Sequence, residues 1–397
     1  MRQVVGGRAV DGQAASASQM GRFATETLAM PVNRAALADL DGAWIDRFHD
    51  RKGLKFIVLD MDSSVSPTHG EQEGTAWIGH FDCTCYHPLF LFNQFGMLER
   101  SALRPGNVHS ADGWKDVLDP VIARYAKRDI MRFFRADAAY AIPANYARLE
   151  QAGYFYAIPV PANAVLKEKI AHRLTRPVGC PSRTKVKRFY EDFHYHAQSW
   201  DKERLVIAKI EWHLGKFFPR VGFIVTNLPM EPDRAVRFCN QRSTAEQHIK
   251  EGKYAFRWTR LSCKRIRDNE VRLQLHALAC NLATLPHAAS NYPEAIAGGS
   301  LTSLQLKLIK MGARVVRHAR AITFQLAEVA VTGPMVGAIL AAIHRLRTPP
   351  SCRDAETAGK RTNAARQVCL ARCKTAPLGE DDAATRPNPP SFGSGSV

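Results

Sequence analysis

The sequence predicts an α/β fold, and three patterns point to it. Short apolar runs end in carboxylates, as in Lys55-Phe-Ile-Val-Leu-Asp60 and Ile130–Asp137. Segments with helically spaced apolar residues alternate with these runs. Between about residues 184 and 227, three stretches rich in β-branched and aromatic residues form a meander. Strands and helices write different periods into a chain: successive strand side chains face opposite sides, whereas a helix gathers positions i, i+3 and i+4.

Taken in order, residues 1–30 are rich in Gly, Ala and Ser with little periodicity, and are expected to be disordered. From Asn33 to Phe48 the residues Leu37, Leu40, Trp44, Ile45 and Phe48 recur at helical spacing, which makes residues 31–54 a helical segment. Lys55–Asp60 reads as a buried strand, and Thr75–Phe81, His87–Phe92 and Ile130–Arg135 as further strands. Pro143 suits the first turn of a helix, which runs through Leu149 and stops at Gly153. Tyr154–Ile158 follows as another strand. The meander comprises Arg188–Tyr195, Leu205–Trp212 and Val221–Thr226. Pro232 then opens a long polar helix to about Gly252, and further helices cover Val271–Ala283 and Leu301–Met311. Past Pro349-Pro350 the chain is Ala-, Pro- and Ser-rich with mixed charge. It ends PNPPSFGSGSV, a composition that cannot bury a core and predicts a disordered tail over 348–397.

The 397 residues carry 55 Lys+Arg against 37 Asp+Glu, a formal net charge of +18. Such a surplus is the footprint of a polyanion binder, though spread thinly it only aids solubility. At 46% hydrophobic and 23% charged, the composition is that of a globular chain and excludes a wholly disordered or fibrous one. The start, MRQVVGGRAVDGQAASASQM, has no apolar core of a secretory signal. The longest apolar stretch, Val329–Ile343, is broken by Thr332, Gly333 and Pro334 and falls short of the ~20 residues that span a bilayer. Nine cysteines without paired spacing suggest a reduced, cytosolic protein.

Asp60 and Asp62 lie at the end of the first long strand and Asp137 at the end of the strand over Ile130–Arg135. Carboxyl ends of strands in an open α/β sheet form the usual ligand crevice. Carboxylates converging there repel one another unless cations hold them, and hard oxygen ligands suit Mg²⁺ or Mn²⁺. Two such ions can activate water on one side of a phosphodiester and stabilise the leaving oxygen on the other. A fourth acid, Glu246, shares a helix face with Arg242, Lys250 and Lys253. This face is either a phosphate-holding stripe or a solvated ladder of i, i+4 ion pairs, and spacing alone favours the ladder. His69, His80, Cys83, Cys85 and His87 are zinc-ligand types, but their spacing matches no closed zinc module.

Set in order, the segments LDMDSSVSPTHGEQEG (Leu59–Gly74), CYHPLF (Cys85–Phe90), LRPGNVHSADGW (Leu103–Trp114), FRADAAY (Phe134–Tyr140), FCNQRSTAEQHIKEGK (Phe238–Lys253) and WTRLSC (Trp258–Cys263) resemble DDE transposases of bacterial insertion sequences. The group numbered thirteen-eighty is the nearest likeness, from about residue 31 to residue 347. The resemblance implies an RNase H-like core with a mixed sheet over residues 55–290. It also implies a β-rich insertion at about 160–230 ahead of the helix bearing the third acid, and a C-terminal helix and strands over 291–347. By motif, Asp62, Asp137 and Glu246 would be the catalytic and metal-binding acids, holding two Mg²⁺ or Mn²⁺ ions. Asp62 is preferred to Asp60 because a hydroxyl residue follows it closely, although strand alternation puts both on one face.

Arg242, Lys250 and Lys253 would bind DNA. The family's third motif is Tyr, two residues, Arg, three residues, Glu, six residues, Lys. Cys239 stands at the Tyr position, a departure expected to weaken a phosphate contact, with Phe238 available for stacking. The implied partners are double-stranded DNA, as inverted-repeat ends and as target, and a second copy in a synaptic homodimer, with no membrane. The implied location is the bacterial cytoplasm, at the nucleoid. Relatives carry a substantial region ahead of the first Asp, whereas only residues 1–61 precede Asp62. An N-terminally truncated copy with doubtful end recognition is therefore expected, residues 31–54 being a remnant of that region.

Overall fold

The computed structural model describes residues 15–175, 185–288, 299–310, 312–318, 321–326, 333–335, 337, 338 and 341. In chain order they form helix α1 (Ala17–Arg22), a π-helical turn Phe23–Thr27, α2 (Pro31–Lys52) and strands β1 (Phe56–Ser63), β2 (Ser66–Pro67), β3 (Ala76–Ile78), β4 (Cys83–Tyr86), β5 (Leu89–Asn93) and β6 (Leu98–Ala102). Then come α3 (Trp114–Tyr125), β7 (Met131–Ala136), α4 (Pro143–Gln151), β8 (Phe155–Val160), α5 (Ala164–Lys169), α6 (Ala171–Leu174), β9 (Lys187–Tyr195), β10 (Arg204–Trp212) and β11 (Arg220–Thr226). α7 (Pro232–Asn240), α8 (Ser243–Glu251), a π-helical turn Gly252–Phe256, α9 (Ile266–Ala288), α10 (Leu301–Leu304), β12 (Ala313–His318) and β13 (Ala321–Leu326) complete the described part.

Eight strands make one mixed sheet in the order β6-β5-β1-β7-β8-β11-β10-β9. The first three pair antiparallel, and β1, β7 and β8 run parallel, which is the RNase H-like arrangement expected. The β-rich segment ahead of the helix bearing the third acid joins the main sheet: β11 pairs antiparallel with β8, so β9–β11 prolong it. Pro, Gly and polar residues mark where strands end, but only pairing partners decide whether three strands start a new sheet or extend an old one.

Alternation along the strands divides the interior. Ile57, Leu59 and Met61 of β1, Leu89 and Leu91 of β5, and Phe134 and Ala136 of β7 face one core with α3 and α4, including Val117, Leu118, Tyr125 and Tyr146. Phe90 and Phe92 turn the other way and meet Ala245 and Ile249 of α8, Trp258, and Leu273 and Ala277 of α9. The Trp258 indole is fully buried and stacks on Phe90 at 4.6 Å between centroids. Gly252 makes room for that indole, because a Cβ there would collide with its six-membered ring. Asp60 and Asp62 pair in register with Phe92 and Phe90, so they lie on this second face.

Several expectations differ. Residues 15–30, expected to be disordered, are largely helical: Ser16 caps α1 by accepting from the Gln19 backbone N–H, and Gln19 reciprocates, a short-range signal that composition hides. Residues 1–14 lie outside the described part, as do all of 348–397 and most of Val329–Ile343. The single helix expected from Pro232 to Gly252 breaks at Gln241–Arg242 into α7 and α8. The two pack on different surfaces, Ala235, Val236 and Cys239 against Ala157, Ile207 and Ile224, and Ala245 and Ile249 against Phe90 and Phe92. A straight helix could not serve both. Among the described residues no helix is long and apolar enough to cross a membrane.

A buried ion pair joins the two middle strands. The Arg135 guanidinium donates to both Asp60 oxygens at 2.6 Å, with Asp60 2% and Arg135 4% exposed. Burial pushes the Asp60 carboxyl up, and Arg135 opposes that most strongly. Arg135 also donates to the Phe238 carbonyl (3.0 Å) and to Gln241 Oε1 (3.2 Å), fastening the end of α7 to the sheet. A second polar cluster ties α2, β6, α3 and α9. Glu99 accepts from Asn93, Tyr125 and Arg124, Tyr125 meets His49, and Asn281 bonds both backbone groups of Leu98.

Breaking the buried pair from one side should cost far more than its net contribution, since the survivor stays buried and uncompensated. Asp60→Ala is expected to lower stability by about 3–5 kcal/mol, read from the urea midpoint. Burial raises Asp41 to about 6 from 3.8, against pulls from Asn281 and Arg124. With the folded value the higher one, the charge at Asp41 costs stability fully above pH about 6. That cost shrinks as pH falls through 6 and vanishes below the unfolded value. Asp41→Asn should therefore stabilise by up to about 3 kcal/mol near pH 7.5 and by nothing near pH ~3.5, measured by urea unfolding at both values.

Candidate active site

The second face of the sheet carries the acids. In the parallel register of β1 and β7, Asp60 lies opposite Arg135 and Met61 opposite Ala136, so Asp62 and Asp137 stand side by side where the two strands end. Asp62 is 7% exposed, and its Oδ1 accepts from the Ser63 backbone N–H at 2.9 Å. Asp137 caps the short 3₁₀ turn Ala138–Tyr140 by accepting from the Ala139 N–H at 2.9 Å. Glu246, exposed in the first turn of α8, is brought over β1 because its neighbours Ala245 and Ile249 dock on the β5 aromatics.

The charges of these acids act on one another. Burial pushes Asp62 up to about 6; Arg242 opposes this, while the charges of Asp137 and Glu246 add to it. Asp60 is spent differently, with both oxygens taken by Arg135. Alternation does place the two acids on one face, but position separates them: Asp62, two residues further along the strand, is the one beside the end of β7 and shares Arg242 with Glu246.

Two cations flank Asp62. The Arg242 guanidinium donates to Asp62 Oδ2 at 3.2 Å and to Glu246 Oε1 at 2.9 Å. Lys253, half-buried in the π-helical turn, is lowered by burial and held up by the Asp62 charge. Lys250 is exposed on α8. The helical face expected to hold Arg242, Glu246, Lys250 and Lys253 is therefore assembled from three pieces: the α7–α8 break, α8, and the turn after it.

Cys239, at the Tyr position of the motif, lies in the core. Its side chain is 4% exposed, packs among Ala157, Ile207, Ile224 and Leu228, and points its thiol at the Ala157 carbonyl (3.8 Å). The position faces the core and offers nothing to a phosphate. Phe238 is likewise occupied, lying 4.9 Å beneath the Arg135 guanidinium and against Phe133. The zinc-type residues do not assemble: among the described residues no group of three His, Cys, Asp or Glu side chains is arranged to hold a metal ion. His87 instead bonds the Val108 carbonyl through Nδ1 at 3.2 Å.

Sequence reading left two side chains without a role. Arg135 sits inside the quoted FRADAAY motif, and a charged residue alternating with Phe134 on a central strand was the available signal. Arg104, in LRPGNVHSADGW, is 6% exposed and donates to the carbonyls of His87, His109, Ser110 and Asp112, shaping the loop beside β7. Tyr140, just past Asp137, donates to the same Ser110 carbonyl at 2.9 Å.

Asp62, Asp137 and Glu246 offer the oxygen donors that suit a hard divalent cation, but with Arg242 bridging two of them they are not arranged as a metal site among the described residues. The charges of Asp137 and Glu246 both raise the cost of ionising Asp62, and one guanidinium bridges Asp62 and Glu246 as a counter-charge.

No curated protein matches the chain. Among solved structures, that of a piggyBac transposase synaptic complex with hairpin DNA is similar, at 10% identity and a TM-score of 0.38, over 83% of this chain and 60% of that one. This chain thus spans less than two thirds of that protein. The family model described as Transposase DDE domain group 1 matches residues 1–348, which include all three acids gathered on the second face of the sheet, and the chain belongs to that family.

Proposed function

We propose that this chain is a DNA transposase of the bacterial insertion-sequence kind. In this reading it hydrolyses phosphodiesters at the ends of a mobile element and joins the freed 3′-hydroxyls to target DNA. The observation that supports this most is the meeting of Asp62, Asp137 and Glu246 within a chain of the DDE family. Asp62, Asp137 and Glu246 would hold two Mg²⁺ or Mn²⁺ ions, which supply an activated water and a stabilised leaving oxygen when bound.

The chain's own groups do the rest. Asp62 is carried on a rigid central strand and Asp137 by a capped turn, so neither position depends on a loop being ordered first. Arg242 and Lys253 present positive charge within reach of Asp62, where a scissile phosphate would lie, and Lys250 extends that charge to the surface. Phosphate contacts of this kind fix the register of DNA without reading its sequence. The surplus of 18 positive charges favours the same ligand over long range. Handling two ends together would call for a homodimer, and the bacterial nucleoid is the setting in which such a protein works.

Mg²⁺-dependent cleavage of DNA carrying the inverted repeats that flank the gene tests this. Wild type should yield specific 3′-hydroxyl ends and joined products, whereas Asp137→Asn should lose at least ~10³-fold in rate and still bind DNA. Cleavage by Asp137→Asn at the wild-type rate would remove the mechanism, and cutting without joined products would make the chain a nuclease. Lys250→Ala should weaken binding about equally for all sequences and reduce the steepness of its salt dependence by about one unit.

A further inference from the structure

Arg242 holds an unusual position for a residue meant to grip DNA. Its guanidinium lies between two of the three acids, donating to Asp62 and to Glu246, and its side chain is 21% exposed against 10% for Asp62 and 48% for Glu246. Guanidinium–carboxylate bonds are charge-assisted and stronger than neutral ones, and the same fork of N–H groups fits a phosphate equally well. A divalent cation wants the same carboxylate oxygens. A metal bound here would compete with the guanidinium for the acids, and a phosphodiester would compete with the acids for the guanidinium.

We propose that Arg242 is a latch on the acidic site: in the DNA-free protein it occupies Asp62 and Glu246 as a resident counter-charge, and a DNA phosphate draws it away, so that binding of DNA and loading of a divalent cation help each other. This rests on the proposed metal-binding role of the three acids and goes beyond it by assigning Arg242 a regulatory step. The coupling is reciprocal by linkage: whatever factor DNA contributes to cation affinity, the cation contributes to DNA affinity.

The surroundings allow Arg242 to move without carrying the site with it. The residue stands at the break between α7 and α8, outside both helices. The end of α7 is fastened by Arg135 through the Phe238 carbonyl and Gln241, and α8 is fastened by Ala245 and Ile249 in the aromatic core. Neither anchor uses the Arg242 side chain. Lys253, in the turn after α8, feels the Asp62 charge independently of Arg242.

The test is titration of the full-length, DNA-free protein with Mn²⁺ alone, following free Mn²⁺ by electron paramagnetic resonance, for wild type, Arg242→Gln, Arg242→Lys and Asp62→Asn. Thermal melting of each variant checks folding. Arg242→Gln is expected to bind Mn²⁺ about tenfold more tightly than wild type. Arg242→Lys, which keeps the charge but cannot bridge two carboxylates with one planar fork, is expected to fall between them. Adding a short non-cleavable duplex should tighten Mn²⁺ binding to wild type and leave Arg242→Gln nearly unchanged.

Equal Mn²⁺ affinity in wild type, Arg242→Gln and Arg242→Lys, with binding lost in Asp62→Asn, would overturn the latch and leave the metal site standing. Mn²⁺ binding by Asp62→Asn as tight as wild type would instead overturn the assignment of the acids, and the latch with it. Should Arg242→Gln fail to fold, Arg242→Lys carries the decision: affinity equal to wild type, with and without duplex, refutes the latch.

Discussion

The arrangement of this site depends on one buried contact, the ion pair of Asp60 and Arg135. A pair at this depth contributes little net stability, because removing both charges from water costs about as much as their attraction returns. What it does supply is position. Its guanidinium has donors left after satisfying Asp60, and these reach across to Phe238 and Gln241 at the end of α7. The helix pair carrying Arg242 and Glu246 is therefore set relative to β1 and β7 by the same group that joins those two strands.

From this contact outward the construction is consistent. The face of the sheet away from α3 and α4 is polar in its middle and aromatic on β5, so α7 and α8 must dock on two different surfaces. The break between them is the consequence, and it places Arg242 at a hinge where its side chain spans two carboxylates. Trp258 and Gly252 complete the packing by filling the space between α8 and Phe90. Glu246 shares Arg242 with Asp62 because Ala245 and Ile249 beside it are held in that core.

The same chain shows how charge is managed when acids are gathered. Asp60, Asp62 and Asp137 lie along two adjacent strands, a placement that mutual repulsion disfavours. Each is compensated by a different route: a bidentate arginine, a shared guanidinium with a nearby lysine, and a backbone N–H at a turn. The first route is closed and structural. The second is only partly buried, which is what the proposed exchange of Arg242 between the acids and a phosphate requires.

Much of this was legible in the sequence, because strand and helix periods and the order of acids along the chain are local properties. β1, β7, the strands of the meander and α2 emerge from apolar spacing within a few residues of their observed bounds, and the acids stand where a strand meets a turn. Tertiary structure alone decided the rest. Asp60 and Asp62 have the same period and face, and only the partner across the sheet distinguishes a structural acid from one that meets Asp137 and Glu246. Cys239 stands where the motif that the sequence resembles has a Tyr, yet the docking of α7 turns it into the core. The polar segment from Pro232 to Gly252 has helical spacing throughout, and its break arises from two docking surfaces, one on β8, β10 and β11 and the other on the distant β5. Burial, pairing and shared counter-charge are properties of neighbours in space, and a linear pattern does not contain them.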